Sequence, residues 1–126
     1  MKLVLDTSIL IDHLRGGDKW KGILSALKEE TELFIPTIVF FELYSGTSSK
    51  DIKTSHKILN LVDKFQRIEL TEDIAMRAGE LYRDISKNLQ TPDYIVAASA
   101  LEIGATVATL NIKHFQNIAS LPLYPI

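Results

Sequence analysis

Three acidic residues stand alone inside otherwise apolar stretches of the chain. Asp6, Glu42 and Asp93 fall in the segments KLVLD, TIVFFELY and TPDYIVAASA, respectively. A carboxylate in an apolar environment is costly unless it is paired, hydrogen-bonded or bound to a metal ion. One such acid could be an accident of packing. Three of them, each at a predicted strand end or on a helix beside it, indicate a fold that gathers them into one oxygen-ligand metal site.

Apolar periodicity between these acids predicts alternating strands and helices. Strands are expected over residues 2–5, 33–35, 68–70 and 105–109, with a candidate edge strand over 121–124. Helices are expected over residues 8–14, from Asp18 onward, over 37–44 and 52–65, from Thr71 onward, and from Thr91 to Gly104. This alternation favours an α/β fold, a three-layer α/β/α sandwich with a mostly parallel central sheet. At 126 residues, the chain is expected to form one domain, residues 1–126.

Local signals refine these elements. Pro36 is placed at the start of the third helix, where its missing N–H costs little, and Thr91 is placed as an N-cap before Pro92. In the helix over 52–65, Ile58, Leu59 and Val62 are predicted to face the core.

Composition limits the classes of function. The chain has no cysteine, which excludes disulfides and thiolate metal sites, and its net charge of −2 lacks the basic footprint of a dedicated nucleic-acid binder. A local basic rim remains compatible with an acidic site, although charge patterning alone favours solvated helix faces for the same residues. Its candidates are Lys19, Lys21, Lys50, Lys53, Lys57 and Arg83. No signal peptide or membrane-spanning stretch is recognised, so a soluble cytoplasmic protein with no membrane contact is expected.

Parallel α/β sheets place ligands beyond the carboxyl ends of their strands, near the point where strand order reverses. Asp6 ends the first predicted strand, Glu42 lies on the helix after the second, and Asp93 lies in the first turn of the helix before the fourth. Asn111 follows that fourth strand. Each acid also has a structural reading: Asp6 as a helix cap, Glu42 as a surface ion pair, and Asp93 as a charge stabilised by the helix dipole.

Carboxylate oxygens without cysteine or clustered histidine favour hard cations such as Mg²⁺ or Mn²⁺. His13, His56 and His114 are scattered along the chain and are predicted to lie on the surface. Mg²⁺ held by carboxylates most often acts on phosphate esters, which it polarises while activating water.

Four segments together resemble PIN-domain ribonucleases, in particular the VapC type, the toxin half of VapBC toxin–antitoxin pairs. In chain order they are LDTSILID, FFELYSG, DYIVAASALEIGA and TLNIKHFQNI, and the resemblance spans nearly the whole sequence. It implies a Mg²⁺- or Mn²⁺-dependent endoribonuclease that hydrolyses RNA phosphodiesters with metal-activated water. By this resemblance Asp6, Glu42 and Asp93 are the catalytic acids. Asp6 and Asp93 would bind the ion directly, and Glu42 would bind it through water or orient the attacking water.

The resemblance assigns supporting residues as well. Thr7 and Thr109 match hydroxyl positions beside the acids, and Asn111 matches a fourth acidic position that is often Asn in this subgroup. A neutral amide there adds no charge, so the number of metal ions, one or two, stays open. Asn88 lies near a position where the family has glycine.

Partners implied by the resemblance are the RNA substrate, a second copy of the chain in a homodimer, and a VapB-like antitoxin. The antitoxin would insert a basic side chain into the acidic pocket. Trp20, Ile52 and Ile58 are candidates for an exposed apolar contact with it, with core packing as the alternative.

Two other functions remain open at this stage. One is another Mg²⁺-dependent phosphoesterase of the HAD type, which requires a second acid two residues after the first, where this chain has Ser8. The other is a binding module without catalysis: a degenerate PIN-like domain, or a D-x-S-x-S adhesion site, whose pattern is broken at Leu10.

Overall fold

A computed structural model describes residues 1–85 and 89–126, so that Asn88 lies outside the described residues. The strands are β1 (Lys2–Leu5), β2 (Glu32–Pro36), β3 (Gln66–Ile68) and β4 (Thr106–Ala108). The helices are α1 (Thr7–Leu14), α2 (Lys19–Ala26), α3 (Ile38–Tyr44), α4 (Ile52–Val62), α5 (Glu72–Asp84), α6 (Thr91–Ile103) and α7 (Ile112–Phe115). A 3₁₀ turn, Thr47–Lys50, precedes α4.

The sheet has the order β3-β2-β1-β4, and every neighbouring pair is parallel. With right-handed crossovers, the path β1→β2→β3 and the return β3→β4 place their helices on opposite faces. This arrangement confirms the predicted α/β/α sandwich with a parallel sheet. Strand order reverses at β1, so the ligand crevice is expected between the carboxyl ends of β1 and β4.

Helix α6 anchors the interior of the fold. It contacts β1, β2 and β4, and Val96, Ala97, Ala98 and Ala100 along it have no exposed surface. Small alanine side chains let the helix lie close to the sheet. Gly104 ends the helix with φ +67°, a backbone conformation that glycine adopts without a steric penalty. Because α6 is fixed in this way, its first turn is held at the crevice.

Several local predictions were wrong. Pro36 is the last residue of β2, where it pairs with Ile68, and Thr37 precedes α3 instead. Gln90, not Thr91, is the N-cap of α6. The candidate edge strand over 121–124 is a single parallel bridge from Val107 to Leu123.

Burial also corrects the predicted surfaces. Leu59 is half-exposed, while its neighbours Ile58 and Leu61 face the core. Trp20 and Ile58 are each 2% exposed, so neither can serve as an exposed partner contact. Ile52, at 71% exposure, remains available for one. Within residues 1–85 and 89–126, no helix has the length and apolar character needed to cross a membrane.

Candidate active site

Asp6 lies where β1 ends and α1 begins, at the reversal point of the sheet. Its backbone N–H donates to Ala108 O at 3.0 Å, which continues the β1–β4 pairing by one residue. The residue is 3% exposed, and its carboxylate does not cap α1. Instead, Oδ2 accepts hydrogen bonds from Ser8 Oγ at 2.9 Å and Thr109 Oγ1 at 2.7 Å. Asp6 therefore occupies the N-cap position of α1, but its side chain binds the two hydroxyls instead of capping the helix.

Ser8 and Thr109 join the two strand ends through this carboxylate. Each hydroxyl donates its hydrogen to Asp6 and accepts a backbone N–H, from Leu110 to Ser8 and from Asn111 to Thr109, both at 2.9 Å. Both hydroxyls are thus fixed as donors toward Asp6. Since they converge on Oδ2, Oδ1 is the Asp6 oxygen left to bind a ligand.

Glu42 approaches from α3. Thr7 Oγ1 donates to Glu42 Oε1 at 2.7 Å, which leaves Oε2 available. Burial raises the pKa of Glu42, the Thr7 hydrogen bond lowers it, and the charges of Asp6 and Asp93 raise it. The net shift is upward, so the ionised form is disfavoured by the surroundings.

Asp93 occupies the first turn of α6. Its Oδ2 accepts the Gln90 backbone N–H at 3.1 Å, one half of a capping box with the Gln90 side chain. Burial raises the pKa of Asp93 above its usual range and the charge of Asp6 adds to the rise, while the Gln90 bond and His114 lower it. Asp93 therefore stabilises the helix start, as its structural reading expected, and also shares the electrostatic environment of the other acids.

The fold thus brings the three acids into one electrostatic neighbourhood. Asp6 raises the pKa of both Glu42 and Asp93, as charges of one sign do at short range. In the described part of the chain, no three acid or histidine side chains are grouped closely enough to hold a metal ion as they stand. The donor set is nonetheless entirely oxygen at the acids, which fits a hard divalent cation. Such an ion would offset the repulsion among the three carboxylates.

Asn111 and His114 lie beside this site. The Asn111 backbone N–H binds Thr109, and the residue itself is exposed at the start of α7. His114 Nδ1 lies 3.7 Å from Asp93 Oδ2. The His114 side chain is 40% exposed, which agrees with its predicted surface position, but it follows β4 and therefore also lies beside Asp93.

Sequence reasoning also missed Ser8, because a serine after Asp-Thr is typical of a helix start. Its link to Leu110 spans 102 residues of sequence, and nothing local indicates it. A signal was nonetheless present in the hydroxyls that flank both predicted strand ends, Thr7-Ser8 and Thr109.

A family model described as the PIN domain matches residues 3–121. The chain belongs to the PIN-domain family. It is 32% identical to ribonuclease VapC19 of Mycobacterium tuberculosis, covering 99% of this chain and 95% of that one. It is 30% identical to ribonuclease VapC10 of the same species, with 90% and 85% coverage.

Solved structures of PIN-domain proteins agree with this fold. A crystal structure of VapBC2 from Rickettsia felis bound to a promoter DNA fragment matches with a TM-score of 0.82 and 26% identity, covering 98% of each chain. A toxin–antitoxin complex from Klebsiella pneumoniae matches with a TM-score of 0.78 and 27% identity, covering 98% of this chain and 99% of that one.

The raised pKa of Glu42 predicts a pH-dependent effect of Glu42→Gln on the metal-free protein. The native state holds this proton more tightly than the unfolded chain does. The stability of the native state with respect to Glu42 is therefore greatest below the pKa that this residue has in the unfolded chain. That stability is lost as the pH rises through the raised pKa of Glu42 in the native state. We expect Glu42→Gln to have a higher free energy of unfolding than the parent at pH 7 in EDTA. The difference should vanish near about pH 4.

Urea unfolding at a series of pH values measures this difference, and the exposed Glu69→Gln substitution is the matched control. Equal or lower stability of Glu42→Gln at pH 7 would contradict the assigned environment of Glu42.

Ser8→Ala removes a donor to the Asp6 carboxylate and an acceptor for the Leu110 N–H. We expect a loss of about 1–3 kcal/mol in the free energy of unfolding, the usual cost of leaving such groups unpaired. The exposed Ser25, which donates only to Gly22 O, gives the control Ser25→Ala, expected to change stability by less than about 0.5 kcal/mol. Urea unfolding compares the stabilities of the two variants. Equal losses for Ser8→Ala and Ser25→Ala would contradict the role of Ser8 in holding Asp6.

Proposed function

We propose that this protein is an endoribonuclease, the toxin of a VapBC-type toxin–antitoxin pair, acting as a single domain in the cytoplasm. The observation that carries the proposal is the buried Asp6 carboxylate at the β1–β4 junction, electrostatically coupled to Glu42 and Asp93. Three acids at this position of a parallel sheet suit phosphodiester hydrolysis, and the curated relatives of the chain are named as VapC ribonucleases.

The proposed cofactor is one or two divalent ions, Mg²⁺ or Mn²⁺. Asp6 Oδ1 and the Asp93 carboxylate would hold an ion directly, and Glu42 through water. When bound, such an ion polarises the phosphate and lowers the pKa of a water molecule. All-oxygen donors support this class of metal but do not distinguish between the two ions.

The chain's own side chains supply orientation. Thr7 holds Glu42 through Oε1, so that Glu42 Oε2 is the atom free to accept a hydrogen bond from the attacking water. In the overall reaction, water adds to phosphorus as one P–O bond breaks. The resemblance to VapC enzymes implies 5′-phosphate and 3′-hydroxyl ends.

Partners follow from the relatives. Solved structures that match the chain are toxin–antitoxin complexes, which supports a VapB-like antitoxin for this protein, with a basic side chain placed among the acids. Ile52, the first residue of α4, is exposed and suits an apolar part of that contact. A homodimer is the proposed assembly of the toxin itself.

RNA cleavage by the purified protein tests this function. With total cellular RNA and Mn²⁺, we expect endonucleolytic cuts that EDTA abolishes. Asp93→Asn should slow cleavage by about 100-fold or more, because it removes several kcal/mol of charge stabilisation at the reacting phosphate. Sequencing of the new ends identifies the cleavage site and the end chemistry.

Asp73→Asn is the matched control, since Asp73 is an exposed acid in the first turn of α5. Circular dichroism checks that Asp93→Asn keeps α6, which Asp93 also caps. Cleavage that persists in EDTA or in Asp93→Asn would contradict the proposed site. Complete absence of cleavage by antitoxin-free protein would favour a degenerate binding module.

A further inference from the structure

Three adjacent pockets follow the C-terminal half of α1, and together we call them the α1 trough. One part is lined by Ile11, Leu14 and Arg15 together with Glu42. A second part is lined by Arg15 and Gly16 together with Ser8 and Asn111. A third part continues from Leu14 and Gly16 to His13, Lys57 and Lys64. Because the parts share Leu14, Arg15 and Gly16, the trough connects the acid site with the C-terminal end of α4.

Positive side chains dominate this trough. Arg15, Lys57 and Lys64 are exposed. In the described part of the chain none of the three has a carboxylate within ion-pairing distance, whereas Arg77 pairs with Glu102 and Arg83 with Asp84.

Asp12, the acid beside these cations, already accepts a hydrogen bond from the backbone. Asp12 Oδ2 accepts the Lys19 backbone N–H at 3.2 Å, and Gly17 packs so closely on the Asp12 carboxylate that a Cβ at residue 17 would collide with it. Asp12 therefore holds the turn between α1 and α2. Asp12 lines the same part of the trough as Arg15, but among the described residues it forms no ion pair with the trough cations.

The backbone fixes where Arg15 stands. Its N–H donates to Ile11 O at 3.0 Å, and the next residue, Gly16, has φ +88°, which L side chains rarely adopt. Lys57 on α4 and Lys64 in the turn after it line the same part of the trough. The cations thus form a track, with Arg15 nearest the acids.

We propose that the α1 trough binds the phosphate backbone of the RNA substrate, an inference that rests on the proposed ribonuclease function. Three carboxylates repel a polyanion, so a substrate needs cations beside them to be held in place. Arg15 binds the phosphate adjacent to the cleavage site through its guanidinium fork. Lys57 and Lys64 bind phosphates further along the strand as point charges.

An acidic segment of a protein partner would meet the same cations. RNA is favoured because the trough opens onto Glu42, Ser8 and Asn111, where the scissile phosphodiester must lie. A surface that binds only protein would not need to reach the acid site.

The test compares a trough variant with a control variant in the Asp93→Asn background, which prevents cleavage. The trough variant carries Arg15→Gln, Lys57→Gln and Lys64→Gln, all at exposed positions where folding is expected to be unaffected. The control variant carries Lys2→Gln and Lys28→Gln. Lys2 starts β1 beside Glu32, and Lys28 lies in the loop just before β2, so both lie at the opposite, amino edge of the sheet.

Fluorescence anisotropy with a labelled single-stranded RNA 12-mer of mixed sequence gives the affinity at several KCl concentrations. Loss of three phosphate contacts should make the slope of log K against log salt less steep by about two, at about 0.7 per contact. We expect the trough variant to bind at least tenfold more weakly at 0.1 M KCl, and the control to bind as the parent does.

The same substitutions in the cleavage-competent chain separate this proposal from the proposed function. We expect KM for RNA to rise at least tenfold in the trough variant while kcat changes by less than about twofold, since the acids are untouched. Cleavage with an unchanged KM would overturn the trough and leave the ribonuclease intact. If the parent protein itself shows no RNA cleavage but the trough variant loses RNA binding, the trough is supported and the ribonuclease proposal fails.

A labelled deca-glutamate peptide provides the remaining comparison. If the trough variant loses affinity for this peptide but binds RNA as the parent does, the trough is a peptide site and the RNA proposal is overturned.

Discussion

Asp6 places a negative charge at the junction of β1, α1 and β4, and the two hydroxyls that hold it also join the ends of the two strands. Without Ser8 and Thr109, the carboxylate would lie buried beside an apolar sheet with no hydrogen bond to its Oδ2, at a cost of several kcal/mol. With them, the charge is tolerated, and one oxygen stays available. Burial raises the pKa of Glu42 and of Asp93, and the charge of Asp6 adds to both rises. The site is therefore a strained arrangement of charge that a divalent cation would relieve.

This arrangement has a consequence for substrate binding. A pocket of three carboxylates attracts metal ions and repels phosphates, so a chain of net charge −2 needs local cations to hold RNA. The α1 trough supplies them from α1 and α4, and α1 also carries Thr7 and Ser8 of the acid site. Metal ligation and substrate binding are thus connected through a single short helix, whose C-terminal turn is fixed by Asp12 and Gly17.

Sequence reasoning succeeded where one residue contrasts with its local neighbours. Asp6, Glu42 and Asp93 were grouped because each interrupts an apolar run, and the fold brings them into one electrostatic neighbourhood, while their catalytic role stays a prediction. The parallel sheet was predicted from the alternation of elements and is confirmed. Sequence reasoning failed where the partner is distant or the local signal is ambiguous. The Ser8–Leu110 bond, the approach of His114 to Asp93 and the burial of Trp20 depend on packing between remote segments. Of the six predicted rim cations, only Lys57 lines the α1 trough, and Arg83 is occupied by Asp84.

Binding of Mn²⁺ to the isolated protein tests the central claim that Asp6 anchors a metal site formed by all three acids. An ion that binds only the native state stabilises it by about 2.7 kcal/mol at a hundredfold excess over Kd. For a domain of this size, that corresponds to a rise in Tm on the order of 10 °C. Thermal unfolding should show this rise for the parent and for Asp73→Asn, and little or none for Asp6→Asn. An equal rise in Asp6→Asn would contradict the account.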